Sequence, residues 1–244
     1  MQKVLFSLLL IGVVAAMAGA GTLAYFSDTE TSSGNTFTAG TLDLKVDWDE
    51  YYNGELIETQ DETDDPGPIF NLNDVKPGDY GEVTISLHVY GNDAYGKMTI
   101  TPTSNDDVSS TEPELDAGDE EEDDTDDWDG ELAQNMEVVI WWDMYDEGGT
   151  DVDNDGMVEF PGDNIQDETE TVLYEGTAPL ETVEIVFDAD PTTDEIDPLE
   201  ACTTYYIGIK WSIGSGVGNI IQSDKYTADI SFYTVQARHN PVGG

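Results

Sequence analysis

Between Glu82 and Tyr90 the chain reads Glu-Val-Thr-Ile-Ser-Leu-His-Val-Tyr, so that Val83, Ile85, Leu87 and Val89 alternate with Thr84, Ser86 and His88. A period of two puts the apolar set on one face of an extended strand and the polar set on the other, which suits a strand half-buried in a sheet. Similar runs occur at 36–48, 96–101, 136–145, 182–188, 203–212 and 225–236, each bounded by Gly, Pro, Asn or Asp clusters that favour turns. Hardly any segment carries a helical period, so the alternation of strands and helices that builds a parallel sheet is missing. The predicted fold class is all-β: an antiparallel β-sandwich of jelly-roll type, formed by residues 25–244 as one domain with long acidic loop insertions.

The N-terminus reads differently. Met1 to Lys3 form a short basic stretch, residues 4–18 are almost wholly apolar, and small residues follow at Ala18, Gly19, Ala20, Gly21, Thr22 and Ala24. That order predicts a secretory signal peptide over 1–24, cleaved after Ala24, with Ala20 as the second choice. A retained membrane anchor is the competing reading, but the apolar run gives way to glycine and then to Asp28 and Glu30, short of the roughly 20 residues that span a bilayer. The product is expected outside the cell or at the cell surface. At the other end, residues 237–244 carry no hydrophobic tail that would serve as a tether.

Charge narrows the partners. The formal net charge is −47, from 54 acidic against 7 basic residues. At low salt such a charge opposes compaction, whereas at about 1 M salt the Debye length falls to about 3 Å and most of that penalty disappears. The composition therefore predicts adaptation to concentrated salt, and it argues against nucleic acid as a partner, because that contact relies on Lys and Arg meeting phosphates. Acidic excess also accompanies disorder, yet 38% hydrophobic residues with 5 Trp, 12 Tyr and 7 Phe are enough to build a core. The single cysteine, Cys202, excludes an intramolecular disulfide and is expected to be a small buried hydrophobe. No Asn-x-Ser/Thr sequon is present.

Two segments interrupt the strand pattern. Residues 102–131 include the run 116–129, in which ten of fourteen residues are acidic; the segment is predicted to be a solvated loop inserted between strands. Residues 50–68 form a second polar insertion with room for a short hairpin or helix.

The strongest ligand pattern is Asp151-Val-Asp-Asn-Asp-Gly-Met-Val-Glu159. Alternate carboxylates at Asp151, Asp153 and Asp155 converge when a loop wraps a hard cation. Gly156 permits the sharp turn, Met157 can offer its carbonyl, and Glu159 can bind directly or through water. Calcium is the predicted ion, with Asp163 or Asp167 as further candidates. Pro161, Gly162 and the β-rich surroundings argue against EF-hand helices, and an Asp-rich turn without an ion is the competing reading. Other chemistry has little support. The two histidines, His88 and His239, lack His-Glu-x-x-His spacing, and His88 reads as an outward strand residue. Gly214-Ser-Gly-Val-Gly218 lacks the Lys-Ser/Thr of a phosphate loop and reads as a turn.

Several separated segments resemble the TasA/camelysin family of exported fibre proteins. They are Ala24-Tyr-Phe-Ser-Asp28, Asn35-Thr-Phe-Thr-Ala-Gly-Thr-Leu-Asp-Leu44 and Phe70-Asn-Leu-Asn-Asp-Val-Lys-Pro-Gly-Asp79. Trp211, Gly218-Asn-Ile-Ile-Gln-Ser-Asp224, Phe232 and Gln236-Ala-Arg-His-Asn240 look like the acidic archaeal branch. The resemblance implies processing by a SipW-type signal peptidase and a jelly-roll subunit that polymerises with itself by donor-strand exchange. The natural donor is 25–38, with Tyr25, Phe26 and Phe37 as its aromatic residues. Other matrix or cell-surface proteins are the further partners implied. The family also includes members named metalloendopeptidases, an activity for which this sequence lacks the zinc motif. The function expected is a non-enzymatic subunit of extracellular filaments or biofilm matrix. A camelysin-like peptidase and a monomeric calcium-dependent surface adhesin are the alternatives.

Overall fold

A computed structural model of the chain describes residues 42–70, 72, 74–109, 111–119, 125–144, 160–166, 170–191, 193 and 195–238. Nine strands appear among them: β1 (Asp43–Tyr52), β2 (Glu55–Thr63), β3 (Tyr80–Tyr90), β4 (Ala94–Asp107), β5 (Met136–Trp142), β6 (Thr171–Thr177), β7 (Val183–Val186), β8 (Thr203–Ile213) and β9 (Asp224–Gln236). Two short helices, α1 (Glu112–Ala117) and α2 (Leu132–Asn135), lie between β4 and β5, and a 3₁₀ turn (Gly218–Ile221) precedes β9.

The strands form a six-stranded sheet in the order β2-β1-β3-β8-β5-β6 and a three-stranded sheet in the order β7-β4-β9, with antiparallel pairing throughout. The period-two residues of β3 behave as their pattern predicts: Val83, Ile85, Leu87 and Val89 are buried. The register places Val83 opposite Ile209, Ile85 opposite Ile207 and Leu87 opposite Tyr205, so the inner face is a continuous apolar layer. It meets Met98, Ile100, Ile185 and Phe187, which also belong to the core. Trp142 stacks on Phe187 at 5.4 Å and on Tyr205 at 5.6 Å between ring centres. Aromatic stacking of this kind adds to the area each ring removes from water. Two tryptophans lie across neighbouring strands at glycines. A Cβ on Gly208 would stand 2.0 Å from the Trp141 ring, and one on Gly81 would stand 2.4 Å from Trp211.

The polar segment 50–68 resolves into a hairpin, the first of the two forms it had room for. Asn53 and Gly54 both take positive φ, 49° and 80°, and join β1 to β2. Asn-Gly tolerates that conformation, and the resulting turn matches strand twist. At the root of the hairpin, Asp79 accepts hydrogen bonds from Tyr52 Oη (2.5 Å), Asn53 Nδ2 (3.0 Å) and the Lys76 N–H (2.7 Å). Burial pushes its carboxyl up, but those donors hold it below the usual carboxylate range. The Lys-Pro-Gly-Asp end of the 70–79 motif thus fixes the approach to β3.

Two expectations change. Residues 102–131 are not a solvated loop along their whole length: β4 runs on to Asp107, and Asn105 is fully buried. The Asn105 side chain donates to the Gly130 carbonyl and to Gln134 Oε1 and accepts from the Ala133 N–H. Its backbone N–H donates to the Asp127 carbonyl and its carbonyl accepts the Gly130 N–H. A Cβ on Gly130 would stand 2.9 Å from the Asp106 backbone, so only glycine lets the returning chain lie this close. Cys202 is exposed rather than buried. It occupies the turn before β8 with φ of 63°, and its N–H donates to the Val89 carbonyl, which directs the backbone rather than the thiol inward.

Candidate functional site

Four strands have an edge without a strand partner among the described residues, and they are built differently. β2 carries Glu55, Glu58, Asp61 and Glu62 and is exposed along most of its length. β7 is only four residues long. β6 is short and mostly exposed. Edge strands that must not recruit a neighbour are blunted in these ways, by charge, shortness or polarity. β9 is the exception. It is thirteen residues long, and its alternate residues Tyr226, Ala228, Ile230 and Phe232 pack against the core while remaining half-exposed.

A groove follows this edge. Leu44 and Val46 of β1 form one wall, Ile230, Phe232 and Thr234 of β9 the other, and Asp64, Asp65 and Pro66 close one side around a volume of ≈ 330 Å³. Among the described residues, β9 is the last strand of the three-stranded sheet on this side. An apolar stripe beside an edge that has no strand partner among the described residues can accept an extended segment, with hydrogen bonds along the strand and alternate side chains in the groove.

The residues the sequence singled out for chemistry are mostly beyond what the structure describes. Tyr25, Phe26 and Phe37 lie outside the described residues, as do Asp151, Asp153, Asp155, Met157, Glu159 and Asp167. The described residues that flank 145–159 are Asp143, Met144 and the segment 160–166. Asp143 is fully buried, and its two carboxylate oxygens accept the N–H groups of Gly162 (3.0 Å) and Asn164 (3.1 Å). Burial pushes its carboxyl up to about 6, helped by the Asp163 charge and opposed by those two N–H donors. Asp163 uses its oxygens on the N–H groups of Phe160 (3.3 Å) and Ile165 (3.0 Å), capping its own turn.

His88 faces the polar side of β3, as expected. Its Nε2 is 2.5 Å from Asp47 Oδ2 and its Nδ1 is 3.0 Å from Thr204 Oγ1, so both ring nitrogens are engaged by neighbouring strands. Among the described residues, the carboxylates that converge are Asp107, Glu114 and Asp119, whose ligand oxygens lie within 4.8 Å of one another. Sequence spacing did not single them out, because in a run this acidic many carboxylate spacings occur by chance. The signal that separates them is burial, which the sequence does not carry.

No curated protein matches the chain. Residues 1–128 match the family model described as camelysin metallo-endopeptidase. That stretch is more than half of the 244 residues and holds the Asn-Gly hairpin, the Asp79 turn, β3 and β4. The chain belongs to the camelysin metallo-endopeptidase family.

Proposed function

We propose that this chain is a secreted, non-enzymatic subunit of extracellular filaments or biofilm matrix, assembled by donor-strand exchange. The observation that carries the reading is the long edge of β9, without a strand partner among the described residues, beside the groove lined by Leu44 and Val46. A strand from a second copy would extend the smaller sheet from three strands to four and cover the half-exposed stripe of Tyr226, Ala228, Ile230 and Phe232. Residues 25–38 are the donor in this reading, beginning at Tyr25 and with Phe26 and Phe37 as its apolar anchors, and the added strand belongs to the jelly-roll form. Export, adaptation to high salt and calcium at Asp151–Glu159 are parts of the same proposal.

The family description names a metallo-endopeptidase. For this chain the non-enzymatic reading is supported by its histidines: His88 is held between Asp47 and Thr204, and His88 and His239 lack the spacing that places two imidazoles on one zinc ion.

Negative-stain microscopy of the purified chain without residues 1–24 tests the assembly. Filaments are expected, and the same chain also lacking 25–38 is expected to remain a soluble subunit. Unchanged filaments from the deletion variant would exclude the donor strand. Peptide hydrolysis that a chelator abolishes would overturn the non-enzymatic reading.

A further inference from the structure

We propose that Asp107, Glu114 and Asp119 hold a calcium ion that clamps the acidic insertion to the end of β4, at a site separate from Asp151–Glu159. Three elements bring the ligands together. Asp107 is the last residue of β4, Glu114 lies in α1, and Asp119 follows the left-handed Gly118 (φ 99°) that ends the helix. The Asp119 N–H donates to the Glu114 carbonyl at 3.2 Å, which folds Asp119 back toward the helix. Glu114 is fully buried and is held in place from both sides: its Oε2 accepts the Thr111 N–H (2.5 Å) and its Oε1 accepts Ser223 Oγ (2.7 Å).

The observation that separates this cluster from a solvated acidic surface is Asp107. It is 3% exposed; one oxygen accepts the Ser109 N–H at 3.2 Å, while the other, Oδ2, is closed to solvent with no hydrogen-bond partner. Leaving a buried carboxylate oxygen without a donor is costly unless a cation or a proton meets it. No lysine or arginine forms an ion pair with Asp107 or Glu114 among the described residues. Further carboxylates press on the same spot. Glu131 shares a hydrogen bond with Asp119, and its carboxyl is pushed up to about 8 by burial and then by the Asp119 charge. Asp224, at the start of β9, accepts the Glu131 N–H at 2.6 Å and is pushed up to about 7, first by burial. Glu131 Oε2 and Asp224 Oδ1 are likewise buried without hydrogen-bond partners.

Ligand chemistry decides the class of ion. The set is all oxygen, with no imidazole or thiolate, which selects a hard divalent cation over zinc or copper. Oxygens within 4.8 Å of one another fit around an ion with bonds of about 2.3–2.6 Å. Calcium tolerates the irregular geometry of a strand end, a helix and a turn, whereas magnesium demands a near-octahedral shell and retains its water.

The test is calcium titration calorimetry at constant high ionic strength on the whole chain, on the double variant Asp107→Asn/Glu114→Gln, and on Asp153→Ala. The double variant is expected to bind one calcium fewer per chain than wild type, while Asp153→Ala retains the site. Equal stoichiometry and affinity in wild type and the double variant would overturn the proposal. Hydrogen exchange on the unaltered chain gives a second reading that does not depend on a variant folding. Calcium should slow exchange at 105–119, 125–131 and 223–226. Protection absent from those segments would equally overturn it.

Discussion

β2 and β9 are both edge strands of one sandwich, with opposite solutions to the same problem. β2 presents acidic side chains along an exposed ribbon, so a second copy approaching it meets like charge and must desolvate carboxylates. β9 presents few charges, and its inward residues are left partly uncovered beside Leu44 and Val46. In a chain of net charge −47, acidic residues are the default surface, so a thirteen-residue edge with only Asp224 and Asp229 as its acidic residues is the informative one. Salt sharpens the contrast. Screening weakens the repulsion at β2 over distance, but the cost of stripping water from its carboxylates on contact remains. The apolar stripe of β9 is not weakened by salt.

The largest effect should come from exchanging these characters. Ile230→Lys places a charge in the groove that a neighbour's strand would have to cover, and filament elongation should fall tenfold or more. A factor of ten corresponds to about 1.4 kcal/mol per contact. Ile57→Lys, on the 47%-exposed face of β2, should leave elongation unchanged. Sedimentation of both variants, with melting curves to confirm that each folds, checks the comparison. Equal loss of assembly in both would mean that charge anywhere, rather than the β9 groove, governs association.

A second test probes how deeply the acidic edge reaches inward. Glu50 on β1 faces the core, 1% exposed and opposite Glu58 of β2 in the register, with Oε1 buried and without a hydrogen-bond partner. Burial, and then the Glu58 charge, raises its carboxyl from 4.5 to about 7. A raised folded-state value means that the unfolded chain gives up this proton first, so stability falls as pH rises from about 4.5 to about 7 and stays lower above it. Glu50→Gln should remove that slope and stabilise the protein at pH 8 by up to about 3 kcal/mol, the linkage value of such a shift. Urea unfolding at pH 5 and pH 8 measures it. A wild-type slope that survives the substitution would assign it to other raised carboxyls such as Asp224.

Much of the fold was legible because it rests on period two. The runs at 82–90, 203–212 and 225–236 coincide within a residue or two with β3, β8 and β9, where apolar and polar residues alternate strongly. β2 and β6 escaped because both are mostly exposed edge strands with no apolar alternation to read. Asn53-Gly54 was the available sign for β2. Within 102–131 the acidic composition concealed Asn105 and Gly130, whose meaning is a close backbone approach that appears only once the chain has folded back. The open edge of β9 was not legible at all. Its residues alternate like those of any buried strand, and only the strand order reveals that nothing among the described residues pairs beyond it.

Asp79→Ala should cost about 1–3 kcal/mol by removing the common acceptor of Tyr52, Asn53 and the Lys76 N–H. The damage should be lopsided. The β1–β2 hairpin is anchored through Asp79, whereas β9 is held by its long pairing with β4. Hydrogen exchange should therefore accelerate in 52–63 and little in 224–236. Uniform acceleration would show that the two edges are not independently supported.

The smallest effect concerns Lys45, a cation that bridges β1 to the acidic strand. Lys45 Nζ lies 3.6 Å from Glu62 Oε1 and 5.8 Å from the centre of the Tyr90 ring, whose hydroxyl donates to Glu62 at 3.2 Å. Both charged side chains are about one-third exposed, and exposed pairs of this kind contribute about 0–1 kcal/mol. Lys45→Met should cost no more than that at low salt, and less still at about 1 M salt, where the Debye length is about 3 Å. Over the same range the whole protein should gain stability, because screening relieves repulsion among its excess carboxylates. The two slopes are therefore opposite in sign: salt weakens the attraction at Lys45 and strengthens the fold around it. Melting temperatures of wild type and Lys45→Met across a sodium chloride series should converge as both rise. If instead the gap widens with salt, β2 is held by the Lys45 stem packed on Tyr90 rather than by charge. If neither protein gains stability, its carboxylates are already arranged to avoid one another, and high-salt adaptation loses its physical basis.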